Sequence, residues 1–265
     1  MTLAAVDVAF GYRGAPVGRG VSCAVDAGEV LCLLGPNGGG KTTLLKTLLG
    51  LIPAQGGAIT IDGRALADFA RPELARRLGY VPQAHNALFP FTVREVVLMG
   101  RAARVGLFSA PSAQDRDAAR QALQALGIEH LADRTYTTIS GGERQMTLIA
   151  RALAQEPTIL VMDEPTANLD FGNQTRVIEQ IGKLAAQGLG ILLSTHDPDH
   201  AFACADQVAL LQGGHLVALG SPHETLTSDT LRRLYGVEVA VTYLNDVGRY
   251  VCTPSFNRSP RGSTT

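Results

Sequence analysis

The sequence predicts an α/β fold built on a mainly parallel sheet. Short apolar runs in "VLCLLG", "TILVMDEP" and "GILLST" read as buried strands. Helical segments, among them "QTRVIEQIGKLAAQ", stand between such runs, and this alternation is what crossover-connected parallel strands require. A glycine-rich loop also joins the first run to a helix in "GEVLCLLGPNGGGKTTLLKTLLGLI".

The elements follow in order. "LAAVDVAFGY" alternates loosely and predicts a strand. Next come the strand, glycine loop and helix just quoted, with Pro53 expected to stop the helix. "GAITIDGR" predicts a strand turning at Asp62-Gly63, and "LARRLGYVPQ" leads from a helix end into a short strand. From about 84 to 140 the period becomes helical. "TVREVVLMG" and the amphipathic "AQDRDAARQALQALGI" flank a loop, "VGLFSAPSA", so this stretch is a helical insert. Strands then return, and "QVALLQGGHLVALG" predicts a hairpin turning at Gly213-Gly214. After about Ser221 come a short helix, "SDTLRRLYG", and a polar tail. The tail's last residues, "SFNRSPRGSTT", are expected to be mobile. There is no internal repeat.

Composition narrows the function. The 265 residues suffice for one large core. With 23 basic and 24 acidic residues the net charge is -1, which argues against a protein made to coat nucleic acid. Cys23, Cys32, Cys204 and Cys252 form no CxxC pair, so free thiols in a reducing compartment are the expectation, not a metal site. The N-terminus lacks the basic and apolar regions of a signal peptide. No apolar run reaches the roughly 18–20 residues that span a bilayer, so work at a membrane needs another chain to supply the span.

The chemistry sits in loops after strands. "GPNGGGKTT" fits G-x-x-x-x-G-K-[ST]. Glycines let successive N–H groups of Gly35, Pro36, Asn37, Gly38, Gly39 and Gly40 (the proline excepted) curl around phosphate oxygens, and the following helix adds its positive end. Lys41 is placed to reach the β- and γ-phosphates and Thr42 to ligate Mg²⁺, with Thr43 completing the loop-to-helix turn. "TILVMDEP" ends in two acids: Asp163 suits a Mg²⁺ carboxylate, and Glu164 could orient or deprotonate the attacking water. An ordinary glutamate is a weak base, so positioning outweighs proton abstraction. Gln83 in "YVPQ" and His196 in "LLSTHD" say little alone, since a lone loop glutamine or histidine is usually solvated or structural. A second glycine turn, Ser140-Gly141-Gly142 in "TISGGERQM", lies far from the first.

Taken in order, "GPNGGGKTT", "YVPQ", "ISGGERQ", "ILVMDEP", "NLD" and "STHD" resemble the ATP-binding cassette of ABC transporters, over about residues 3–220. The resemblance implies a P-loop NTPase core with an antiparallel β subdomain and a helical insert. The cassette would fill residues 1–225, with the insert at about 84–150 and a short extension at 226–265. It implies ATP as substrate and Mg²⁺ as cofactor. Glu164 becomes the catalytic carboxylate and His196 the switch histidine on the γ-phosphate. Gln83 becomes the residue near Mg²⁺ and water that links core to insert, and Asp170 a contact to the opposite subunit. Ser140, Gly141 and Gly142 would touch the γ-phosphate held by a second copy, closing two chains head to tail around two nucleotides. Tyr12 would stack on adenine, with Phe10 the competing candidate. Departures from the family pattern are mild: Gly39, Ile139, Glu143 and Met162 remove no catalytic group.

Within that family, "VREVVLMGR" and the "LADR…ISGGERQ" run are similar to importers of metal chelates. Ferric siderophore is the first expectation, with haem, cobalamin and molybdate or tungstate as alternatives. An exporter cassette and a soluble non-transport ATPase are the rival readings. The implied partners are transmembrane permease subunits, docked on the surface from Gln83 to about Phe108, and indirectly a periplasmic or surface binding protein. The implied place is the cytoplasmic face of the inner membrane, as a peripheral subunit without nucleic acid. Arg101 and Arg104 are read as lying near the docking surface or as ordinary solvated charges.

Overall fold

The fold is that of a computed structural model, which describes residues 1–83, 90–105 and 109–255. In chain order, β1 (Thr2–Tyr12) and β2 (Ala15–Asp26) form a hairpin, and β3 (Val30–Leu34) leads through the glycine loop into α1 (Lys41–Leu48). β4 (Gly56–Ile61) and β5 (Arg64–Ala65) follow, then α2 (Arg71–Arg77) and β6 (Leu78–Val81). The insert contributes α3 (Val93–Leu98), α4 (Ala113–Ala125) and α5 (Gly141–Leu153). β7 (Ile159–Asp163), α6 (Phe171–Ala186), β8 (Gly190–Thr195) and α7 (Pro198–Cys204) return to the core. β9 (Gln207–Gln212), β10 (His215–Gly220), α8 (Pro222–Thr225), α9 (Ser228–Tyr235), β11 (Val239–Leu244) and β12 (Arg249–Pro254) complete the described chain.

The central sheet has the order β10-β9-β3-β8-β7-β6, parallel except for the β10 edge. A four-stranded antiparallel sheet, β2-β1-β4-β5, lies against it. The alternation of side chains along each strand explains the apolar runs. In β3, Val30, Cys32 and Leu34 pack with the insert, α5 and α6, while Leu31 and Leu33 pack with α1 and the antiparallel sheet. β7 does the same with Leu160 and Met162 on one face and Ile159 and Val161 on the other. Both faces are covered, so no polar residue interrupts these strands, and each buried large side chain contributes about 1.5–3 kcal/mol.

Several expectations need correction. The first helix ends at Leu48, and the reversal is made by Gly50 at φ 68, not by Pro53 further on. The sequence reading passed over β2, whose outward face is polar or small. The polar tail after α9 is instead a hairpin, β11–β12. Most of its residues face solvent, and only Val239, Val241 and Cys252 pack towards the core, too few to set a strand period. Arg101 is not a solvated charge. It is 2% exposed, and its guanidinium bonds Asp115 Oδ1 (3.0 Å), the Ala154 carbonyl (2.7 Å) and Glu156 Oε2 (2.9 Å). The turns at Asp62-Gly63 and Gly213-Gly214 stand as expected, all four residues having positive φ. The proposed mobile end, and parts of the expected docking surface and insert loop, fall on residues 84–89, 106–108 and 256–265, outside the described residues.

Candidate active site

The loops that leave β3, β6, β7 and β8 all emerge at the carboxyl edge of the parallel sheet, where open α/β sheets bind ligands. The glycine loop follows β3. Gly40, its last residue before α1, has φ 94, and a Cβ there would lie 2.8 Å from Val17 Cγ1, so only glycine turns this corner without strain. Phe10 packs beneath Gly40 and is fully buried, whereas Tyr12 at the end of β1 is 50% exposed. Of the two aromatics, only Tyr12 presents its ring at the surface.

Lys41 turns back into the loop. Its ammonium donates to the carbonyls of Gly35 (2.7 Å) and Pro36 (3.1 Å) and stands 3.1 Å from Glu164 Oε1. Glu164 is the hub. Its Oε2 accepts from Gln83 Nε2 at 3.1 Å and lies 3.3 Å from His196 Nδ1. Three residues singled out from separate segments of sequence, Lys41, Gln83 and His196, therefore meet at the Glu164 carboxylate. Glu164 itself sits at φ 46, in the left-handed region that costs a non-glycine residue free energy. That backbone is held from β8: the Glu164 amide donates to Ser194 Oγ (3.0 Å) and to the Ser194 carbonyl (3.2 Å).

Asp163 ends β7 and is buried. Ser194 Oγ donates to its Oδ1 at 2.7 Å, and its Oδ2 has no hydrogen-bond partner among the described residues. A buried carboxylate oxygen left unpaired is costly unless a cation satisfies it. That orphaned oxygen of Asp163 fits a divalent ion. Sequence reasoning missed Ser194. The signal was present, a serine at the end of a fully buried strand, two residues before His196.

The second glycine turn belongs to a separate cluster. Ser140 caps α5 in a reciprocal box: its amide donates to Glu143 Oε2 (2.7 Å) and the Glu143 amide to Ser140 Oγ (3.3 Å). The Ser140 amide first, and then the Ser140 hydroxyl, hold the Glu143 carboxyl below its usual range. The Glu143 at this position is thus a capping residue. Gly142 presses on α6: a Cβ there would lie 2.3 Å from Asn173 Cγ. Asn173 in turn donates its backbone and side-chain N–H groups to the Asp170 carboxylate, both at 2.8 Å. The structure thus brings Ser140, Gly141, Gly142 and Asp170 together through Asn173, a residue the sequence reading did not single out. Among the described residues, no hydrogen bond or ion pair joins this cluster to the glycine loop. Phe171, next to Asp170, is 85% exposed.

Known proteins share both the sequence pattern and the fold. A family model described as ABC transporter matches residues 19–167. An ABC transporter ATP-binding protein of Haemophilus influenzae is 45% identical over 235 residues, 89% of each chain. A hemin import ATP-binding protein of Nocardia farcinica is 43% identical, over 83% of this chain and 76% of its own. The ferric enterobactin transport ATP-binding protein of Escherichia coli is 35% identical, over 89% and 87%. Among solved structures, a chain of an inward-facing transporter assigned to the metal-chelate type superposes with TM-score 0.85 at 31% identity, covering 97% of this chain and 98% of that one.

Proposed function

This chain belongs to the ABC transporter family as an ATP-binding subunit that hydrolyses ATP to power transport, and from that premise we propose that its transporter imports an iron chelate. The cargo is a ferric siderophore on this reading. The similarity to a ferric enterobactin subunit supports it, and the higher identity to a hemin import subunit makes haem the second reading. The observation that carries the catalytic part is the meeting of Lys41, Gln83 and His196 at Glu164.

In this mechanism Gly35, Pro36, Asn37, Gly38, Gly39, Gly40, Lys41, Thr42 and Thr43 cradle the phosphates, and Tyr12 stacks on adenine. Mg²⁺ bound at Thr42 and Asp163, with Gln83 beside it, would neutralise charge developing on the phosphoryl oxygens. Glu164 orients the attacking water. His196 donates to the γ-phosphate, and Gln83 links this site to the insert. Importer subunits of this family work as dimers with transmembrane permease subunits. Here Ser140, Gly141, Gly142 and Asp170 serve the nucleotide of a second copy of the chain. Their separation from the glycine loop within one chain supports that assignment.

No helix among the described residues is long and apolar enough to cross a membrane. The subunit sits peripherally on the cytoplasmic face of the inner membrane on this reading. A cleft of about 550 Å³, lined by Leu49, Leu51, Leu74, Met99 and Ala103, lies between core and insert and supports permease docking there. A periplasmic or surface binding protein delivers the cargo. The test is to purify the complex with its permease and binding protein, identify the bound ligand by mass spectrometry, and assay ATP turnover with ferric siderophore and with hemin. Stimulation by an iron chelate is expected. A complex that carries and responds to a sugar or amino acid would refute the iron reading.

A further inference from the structure

The C-terminal extension, to which no role has been given, reaches the segment that carries His196. Tyr235, the last residue of α9, donates its hydroxyl to the main-chain carbonyl of His196 at 2.8 Å. Three residues on, the Asp199 carboxylate accepts from the Cys252 amide of β12 at 2.7 Å. Tyr250, also on β12, stacks on Phe202 of α7 with ring centroids 5.6 Å apart. One extension thus grips residues 196–202 at three points.

That segment needs an anchor. His196 lies beyond the last ladder residue of β8, and its side chain is half exposed, so the strand alone does not fix it. Its Nδ1 nevertheless stands 3.3 Å from Glu164 Oε2. We infer that Tyr235 is a positioning residue for hydrolysis, its hydroxyl fixing the His196 main chain and so the place of the imidazole beside Glu164. The inference rests on the role given to His196 above.

A tyrosine suits the task. It is rigid, so little conformational entropy is lost in ordering it, and its body packs in apolar surroundings while its tip makes the bond. Gly236, at φ 70, ends α9 directly after it. Burial pushes the Tyr235 phenol well above its ordinary range, so it remains a donor throughout the physiological pH range.

The test uses the full chain. Tyr235→Phe removes only the hydroxyl, and kcat for ATP should fall by about three- to tenfold while KM stays within about twofold. Asp199→Ala, which cuts the second tether without touching Tyr235, should shift kcat in the same direction. In a His196→Ala background, Tyr235→Phe should change the residual rate no further, because the group it positions is gone. An unchanged kcat in both single variants, or a loss from Tyr235→Phe that persists in full beside His196→Ala, overturns the inference alone. Wild-type turnover in His196→Ala overturns the reading of His196 and this inference with it.

Discussion

Lys41 Nζ lies 3.1 Å from Glu164 Oε1, and both side chains are nearly sealed from solvent, at 5% and 9% exposed. The pair joins the group that would bind the terminal phosphate to the group that would activate water. On the proposed mechanism, a γ-phosphate bound at Lys41 would compete with Glu164 and with the Gly35 and Pro36 carbonyls for the ammonium.

Glu164→Gln separates these roles. Hydrolysis should fall by roughly 10²–10³-fold, while ATP still binds and accumulates in a dimer. Because one partner of a buried pair is neutralised, the variant should also lose about 2 kcal/mol without nucleotide, or roughly 4–8 °C in Tm. Added ATP should recover much of that loss. Melting curves with and without ATP, beside single-turnover rates, measure both effects; unchanged turnover would remove Glu164 from the mechanism.

Asp163 offers the opposite trade. Its Oδ2 is buried without a hydrogen-bond partner among the described residues, so it is left as an uncompensated carboxylate oxygen there. Asp163→Asn should leave the protein as stable as before or raise its Tm by a few degrees, on the order of 1 kcal/mol, because a buried charge is removed. Hydrolysis should fall at least about a hundredfold, and titration with Mg²⁺ should no longer drive it. A variant that is destabilised and still Mg²⁺-dependent would show that Asp163 serves the fold and not a cation.

What could be read in advance follows from where free energy is concentrated. β3, β7 and β8 were legible because burial on both faces leaves a continuous apolar run. The chemical groups were legible because each stands directly after such a run. Arg101 was not, because burial of an arginine depends on partners in α4 and beyond α5 that no local pattern announces. The bond from Tyr235 to His196 arises only once α9 is packed, whereas that from Asn173 to Asp170 is a local cap at the start of α6. β11 and β12 were missed because exposed strands carry weak periodicity.

Gly142 and Asn173 give a test that separates fit from function. A Cβ at position 142 would come within 2.3 Å of the Asn173 amide group, so Gly142→Ala must push that side chain off Asp170. The cost should be about 1–3 kcal/mol, as for other overpacked sites. Adding Asn173→Ala should restore most of the stability by opening space. If the turn serves a second copy's nucleotide, the double variant should still hydrolyse ATP poorly and bind it normally. Recovery of both stability and turnover would mean the turn acts only as packing.

The helical insert has its own pH-sensitive fastening. Arg101 binds Asp115 at the start of α4 and the Ala154 carbonyl after α5, so Arg101→Lys, a point charge without the planar fork, should cost about 3 kcal/mol. The Ser112 hydroxyl and amide, and then Arg101, hold the Asp115 carboxyl down at about 2, against 3.8 for an ordinary aspartate. A depressed acid contributes its full stabilisation above the unfolded value and loses it as pH falls towards the folded one. Wild-type stability should therefore decline between pH 3.8 and about 2 through this group. Asp115→Asn should start lower at neutral pH and decline less across that window. Urea unfolding at a series of pH values measures the difference, and parallel curves for the two proteins would remove Asp115 from the fastening.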